Sequence, residues 1–249
     1  MSLQKLLAVV HSSCGMYRKV FGREKEMTDK GLTPVILGSQ YTFSPQLFDR
    51  AALDFPMRQY SWLTGVGVTS RDIYLVLETE DSQRTVLLSG VTRGVCMDFA
   101  RGISVPFPDA EKHRLSSALP PEARCFPYIK VPESVPVESF STTVKVRYED
   151  VDFNQHSSHT KYTTFALECA ALASATGYFS RIRGDIAFYR PLSLTCIHLG
   201  ESFAGDNLNV STWEAVDNAM LLRFLIKRQQ QRTCYIQIEF DGNTIASKL

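Results

Sequence analysis

The sequence predicts an α+β fold in two domains. Three observations carry this reading. Each half of the 249-residue chain carries a helical period followed by strand-like alternation; a run of prolines separates the halves; and 44% hydrophobic against 21% charged residues supplies core material for a globular chain. Disordered and fibrous architectures are excluded by the same composition.

Taken in order, Leu3, Leu6, Leu7, Val10, Tyr17 and Phe21 fall near one face of a helix over residues 3–21, with Gly22 as its stop. Residues 35–43, 58–68, 73–78 and 85–99 then read as four strands, the last two joined by a turn at Asp81-Ser82-Gln83. Pro106, Pro108, Pro120, Pro121, Pro127, Pro132 and Pro136 follow. Proline cannot donate the backbone hydrogen bonds of a continuous helix or a central strand, so residues 111–140 are expected to be a linker between domains at 1–110 and 141–249. From residue 142 the pattern restarts. Val144, Val146 and Tyr148 alternate with Lys145 and Arg147, and a polar turn leads into a helix through Tyr162, Phe165, Ala166, Cys169, Ala170, Leu172 and Ala173, ended by Gly177. Four more strands are expected at 195–200, 207–213, 220–228 and 233–240.

Charge and cysteine usage exclude several partners. Twenty-seven Lys plus Arg balance 26 Asp plus Glu, a formal charge of +1, so there is no basic field to hold nucleic acid. No apolar run reaches the roughly 18–20 residues of a membrane span. Cys14, Cys96, Cys125, Cys169, Cys196 and Cys234 are dispersed, with no CxxC pair and no zinc-type Cys/His spacing, so free thiols, no metal and no cofactor are expected. Lys5, Arg18, Lys19 and Arg23 precede the first acid, Glu24. A structural helix is the reading taken, which makes the expected location cytoplasmic, with a mitochondrial or other organelle-targeting start as the alternative.

The stretch Asp150-Val151-Asp152-Phe153-Asn154-Gln155-His156 carries the chemistry. A strand delivers two carboxylates, an amide and an imidazole to one turn just ahead of a helix, whose first N–H groups and positive end suit a developing oxyanion. A capping or turn role is the bland reading of Asp150. Glu168 is expected to hold a buried hydrogen bond. Cys169, on the apolar helix face with no base beside it, is expected to act as a small hydrophobe rather than a nucleophile. Trp62 and Trp213 are expected in the core or a pocket wall. His11, His113 and His198 are expected to be ordinary surface or core histidines.

This stretch resembles the signature of the acyl-acyl-carrier-protein (acyl-ACP) thioesterases, Asp-x-Asp-x-Asn-Gln-His-x-Asn-Asn-x-x-Tyr followed by a helix carrying Leu-Glu, here Leu167-Glu168. Glu201-Ser202-Phe203-Ala204-Gly205-Asp206-Asn207-Leu208 resembles that family's downstream Glu-x-x-x-Gly-Asp-x-Leu turn. The resemblance implies a tandem (double) hotdog fold, each domain a long central helix wrapped by an antiparallel β-sheet. It also implies an N-terminal hotdog-like domain that starts at its helix, without the strand that usually precedes it. Asp152, Asn154, His156 and Glu201 are the implied catalytic residues, and Ser158, His159 and Tyr162 the implied substrate contacts. Ser158 and His159 stand where the family has Asn-Asn, so contacts at the helix start are expected to differ. Leu192 competes with Glu201 for the place of the family's acid if the Tyr189-Arg190 pair is aligned instead.

The activity implied is hydrolysis of fatty acyl thioesters on acyl carrier protein or coenzyme A, with association into a homodimer left open. A catalytically silent acyl-binding or scaffold protein and a hotdog dehydratase are the alternative readings.

Overall fold

A computed structural model of the chain describes residues 29–48, 56–98, 100–120, 125–152 and 155–244. The expected N-terminal helix, His11, Cys14, Phe99 and Asn154 lie outside the described residues. The chain forms two compact units that part between Tyr128 and Ile129.

In the first unit β1 (Leu32–Phe43), β2 (Met57–Val66), β3 (Ser70–Thr79) and β4 (Val86–Asp98) form an antiparallel sheet in the order β2-β3-β4-β1, with the short β5 (Ile103–Ser104) beside β4. All four long strands fall where the alternation places them. The prolines, by contrast, do not make residues 111–140 a plain connection. Pro108 immediately precedes a nine-residue helix, α1 (Asp109–Ser117), a position where its missing N–H is harmless. Leu115 of α1 and Phe107 before it pack with Leu63, Ile73 and Cys96 into the unit's core, so this part of the expected linker belongs to the first unit. Trp62, expected in the core or a pocket wall, is 39% exposed on β2, where its ring lies against Tyr74 directly across on β3.

In the second unit β6 (Phe140–Lys145) leads through a 3₁₀ turn (Tyr148–Asp150) to helix α2 (Lys161–Ala175). Then follow β7 (Tyr189–His198), β8 (Asn207–Glu214), β9 (Leu221–Arg228) and β10 (Gln231–Thr244), paired antiparallel in the order β7-β10-β9-β8-β6. Alternation decides what faces what. Phe224, Ile226, Ile236, Ile238, Leu208 and Val210 are buried on the sheet beside α2. The helix answers with Ala166, Cys169, Ala170 and Ala173, small enough for its backbone to lie close: the Cys169 thiol donates to the Val210 carbonyl at 3.3 Å. Cys169 thus packs as a small hydrophobe. Gly177, at φ +74°, turns the chain out of α2 in a conformation that strains any residue with a Cβ.

Trp213, Leu225 and Tyr235 point the other way and are covered by Ile129, Val131 and Val135, while Arg232 Nη1 donates to the Pro132 carbonyl at 3.0 Å. The second stretch of the expected linker therefore packs across the outer face of this sheet. It stays extended because its prolines favour that backbone.

β7 begins at Tyr189, earlier than the expected 195. Pro191 is accommodated where the pairing of β7 with β10 shifts register, between Glu239 and Phe240. Among the described residues, no helix is long and apolar enough to cross a membrane.

Candidate active site

The turn between β6 and α2 is fastened at both ends. Val146 follows β6, donates its N–H to the Asp206 carbonyl at 2.9 Å and accepts from Gly205 N–H at 2.9 Å. The buried Asp150 carboxylate accepts the Arg147 N–H at 2.8 Å and pairs with Lys161 Nζ at 2.9 Å, while its carbonyl accepts the Ser158 N–H at 2.8 Å. Asp150 thus ties the turn to the first residue of α2 and offsets a lysine charge that would otherwise oppose the positive helix end.

Inside that frame the chain doubles back. Asp152 N–H donates to the His156 carbonyl and Gln155 N–H to the Asp152 carbonyl, both at 2.9 Å. Val151 pairs with Ser157 as an antiparallel bridge, and Gln155 sits at φ +65°, which closes the loop. Asp152 and His156 are thereby held next to one another at the neck of one hairpin. Both are half-buried.

Glu201 comes to this hairpin from beyond β7. Its Oε1 lies 3.3 Å from His156 Nδ1, although 45 residues separate the two in sequence. Leu192 belongs to the body of β7, and it is Glu201 that meets the histidine. The backbones of His156 and Phe203 form a bridge, and the Phe203 ring stands edge-on to the imidazole at 5.0 Å. Asp206 Oδ2 accepts the Phe203 N–H at 2.8 Å and lies 3.4 Å from Arg228 Nη1, while the Arg228 guanidinium lies over the Phe203 ring at 5.2 Å. Gly205, at φ +93°, lets the turn close so that Asp206 can do this. The Glu-x-x-x-Gly-Asp pattern is thus a device for holding Phe203 and Glu201 against His156. Ser202, Phe203 and Arg228 were not singled out in the sequence as supports; the turn motif was the signal for Ser202 and Phe203, and Arg228 comes to it from β9.

Behind the hairpin runs a buried hydroxyl chain. The Tyr162 hydroxyl bonds Ser202 Oγ at 2.9 Å, Ser202 Oγ donates to Ser157 Oγ at 2.8 Å, and Ser157 N–H donates to the Ser202 carbonyl at 2.8 Å. Tyr162 is only 3% exposed and joins this chain from α2. Ser158 and Thr160 exchange a hydroxyl hydrogen bond at 3.4 Å at the helix start, and the His159 ring stands against that of His198, 6.1 Å between centroids. Glu168 corrects another expectation: it is exposed on the outer side of α2, since the apolar stripe beside it leaves that position to solvent.

Burial pushes the Tyr162 hydroxyl up to about 12, and it does the same to the Cys169 thiol. Both groups therefore ionise in the unfolded chain before they do so in the folded one, and the stability they lend is complete at neutral pH. The thermal midpoint is expected to fall as pH rises from the ordinary thiol value of 9.0 through about 12. Circular-dichroism melts across that range test this: Cys169→Ala should flatten the fall, and an unchanged slope would remove burial of Cys169 as its cause.

The expectation of no Cys/His cluster is also corrected. Pairing of β7 with β10 brings Cys196, His198 and Cys234 together, their ligand atoms all within 4.8 Å of one another. Cys196 is drawn down by the hydrogen bond from Cys234 and, against burial, by His198; Cys234 is pushed up, by burial first. Linear spacing could not show this, because the partners lie on different strands.

Residues 134–242 match the family described as the acyl-ACP thioesterase C-terminal domain. No curated protein sequence matches the chain. Among solved structures, the acyl-ACP thioesterase of Bacteroides thetaiotaomicron superposes with a TM-score of 0.71 at 12% identity, covering 97% of this chain and 90% of that one. The 12:0-ACP thioesterase of Umbellularia californica gives 0.68 at 15% identity, over 96% of this chain and 86% of that one. At such identities the superpositions establish the fold, a tandem hotdog with antiparallel sheets and few helices. It is in its C-terminal domain, residues 134–242, that the chain is similar to the acyl-ACP thioesterase family.

Proposed function

We propose that the chain is a thioester hydrolase that releases fatty acids from acyl carrier protein, with coenzyme A as the alternative carrier. The observation that carries this reading is the His156–Glu201 pair at 3.3 Å on the same hairpin as Asp152, inside the stretch that matches the thioesterase family. A thioester carbonyl is already reactive, so catalysis needs an activated water or carboxylate and a placed proton acceptor.

In the proposed reaction Asp152 acts as nucleophile or base, with Asn154 orienting it or the substrate. His156, its ring held by Glu201, takes a proton from water as the water oxygen bonds to the carbonyl carbon. The C–S bond then breaks and the proton passes to the departing thiolate, giving a fatty acid and a free carrier thiol. The positive end of α2 stabilises charge at the carbonyl oxygen. Ser158 and His159, at the start of α2, are the proposed substrate contacts.

The test is thiol release from panels of acyl-ACP and acyl-CoA. Release is expected, and Glu201→Gln should lower kcat/KM by about 10- to 100-fold, since a histidine base near neutral pH depends on the carboxylate that orients it. Tight acyl binding without thiol release, or hydration of an enoyl thioester in its place, would overturn the reading.

A further inference from the structure

We propose that Cys196, His198 and Cys234 form a binding site for one thiolate-preferring divalent ion of the zinc class, distinct from the His156–Glu201 pair. The site is a product of strand register. Cys196 and His198 are two residues apart on β7 and share a face, and Cys234 on β10 lies directly opposite His198. All three are thereby gathered on the α2 side of the sheet, where the Tyr162 ring lies 5.6 Å from that of His198.

The spacing suits an ion. Cys196 Sγ is 3.4 Å from Cys234 Sγ and 3.5 Å from His198 Nε2, and with a single ring nitrogen as ligand the three ligand atoms lie within 4.8 Å of one another. With metal–sulfur bonds of about 2.3 Å and metal–nitrogen bonds of about 2.0–2.1 Å, a tetrahedral ion sets its ligands roughly 3.5–3.8 Å apart. Each sulfur now faces a different nitrogen of the His198 ring, so a rotation of that ring or of the Cys234 side chain is what brings one nitrogen and both sulfurs to this spacing. Both thiols are buried, which keeps competing water from the sulfurs and raises the value of each bond to the ion.

Two thiolates and one imidazole favour zinc-class ions over magnesium or calcium, which demand oxygen ligands. They also leave a fourth position for water or another donor. Uptake displaces the thiol protons to solvent, so affinity rises with pH. The alternative chemistry for the two cysteines is a disulfide. Register speaks against it, since the residue opposite Cys196 is Ile236, leaving Cys196 and Cys234 diagonal, with a histidine nitrogen near each sulfur.

The measurement is metal binding, so its outcome is separate from that of the hydrolase reading. Reduced, metal-free full-length protein is titrated with Co²⁺ and then Zn²⁺. One equivalent of cobalt is expected to give the thiolate-to-cobalt charge-transfer band and the strong visible bands of a tetrahedral ion, and zinc should displace it. Cys196→Ser and Cys234→Ser should each weaken binding at least about 100-fold, while Cys125→Ser, at an exposed thiol outside the trio, should leave it unchanged. A readout on the unmodified chain covers the case of a variant that does not fold: zinc should protect Cys196 and Cys234 from alkylation, scored by peptide mass. Absence of the cobalt spectrum, its persistence in both serine variants, alkylation indifferent to zinc, or a Cys196–Cys234 disulfide with no metal uptake after reduction would each overturn the proposal.

Discussion

Asparagine at position 152 is expected to lower the turnover number on acyl thioesters by at least about a hundredfold, the lower end of what a positioned acid–base or nucleophilic group supplies. The substitution keeps the shape of the side chain and removes its charge. Asp152 joins the hairpin through its backbone, donating to His156 and accepting from Gln155, and both bonds survive the change. The thermal midpoint should therefore stay within about 2 °C of the parent, as for most substitutions at half-exposed positions. Paired single-turnover kinetics and calorimetry check both halves. Full activity would take Asp152 out of the reaction, and a large loss of midpoint would make it a structural residue.

The largest stability effect is expected in the first unit. Asp72 on β3 and Arg93 on β4 are directly opposite in the sheet, joined by two hydrogen bonds of 2.7 Å from Nε and Nη2. Asp72 is only 3% exposed and also accepts the Phe126 N–H at 2.9 Å, while the Arg93 guanidinium lies over the Phe126 ring at 5.6 Å. Arg93→Met strands a buried carboxylate and should cost about 3–5 kcal/mol, the usual penalty for removing one member of a buried pair. The double variant Arg93→Met/Asp72→Leu should recover part of this, because the orphaned charge is gone. The Phe126 N–H, left without its acceptor, keeps the recovery incomplete at a cost of about 1–3 kcal/mol. Denaturant titration of the two singles and the double closes the cycle; simple additivity, or a loss below about 1 kcal/mol for Arg93→Met, would refute the argument.

The two units differed in how legible they were. Strands of the second unit were readable because each carries an apolar row against α2, and α2 was readable from its Ala and Cys stripe, whose small size later proved to be its packing device. Helix α1 was missed for a physical reason: Asp109 to Ser117 is mostly polar, and only Leu115 among its apolar residues reaches the core, so it has almost no period to read. The early start of β7 was hidden by Pro191, which is tolerated only because the partner strand shifts register there. Glu168 was misjudged because a position beside an apolar stripe can fall on either side of it.

By itself the sequence determined what is contiguous: the Asp152-to-His156 turn, the helix that follows it, the Gly205-Asp206 turn, and through these motifs the family resemblance. Tertiary structure alone decided which distant residues meet. It set Glu201 against His156, joined Tyr162 to Ser202 and Ser157 in a buried hydroxyl chain, and assembled Cys196, His198 and Cys234 from two strands. The reason is register. A period-2 strand pattern says which face a residue occupies, whereas the partner opposite is chosen by pairing over long stretches of chain, and a slip of one residue in either strand would part Cys196 and His198 from Cys234.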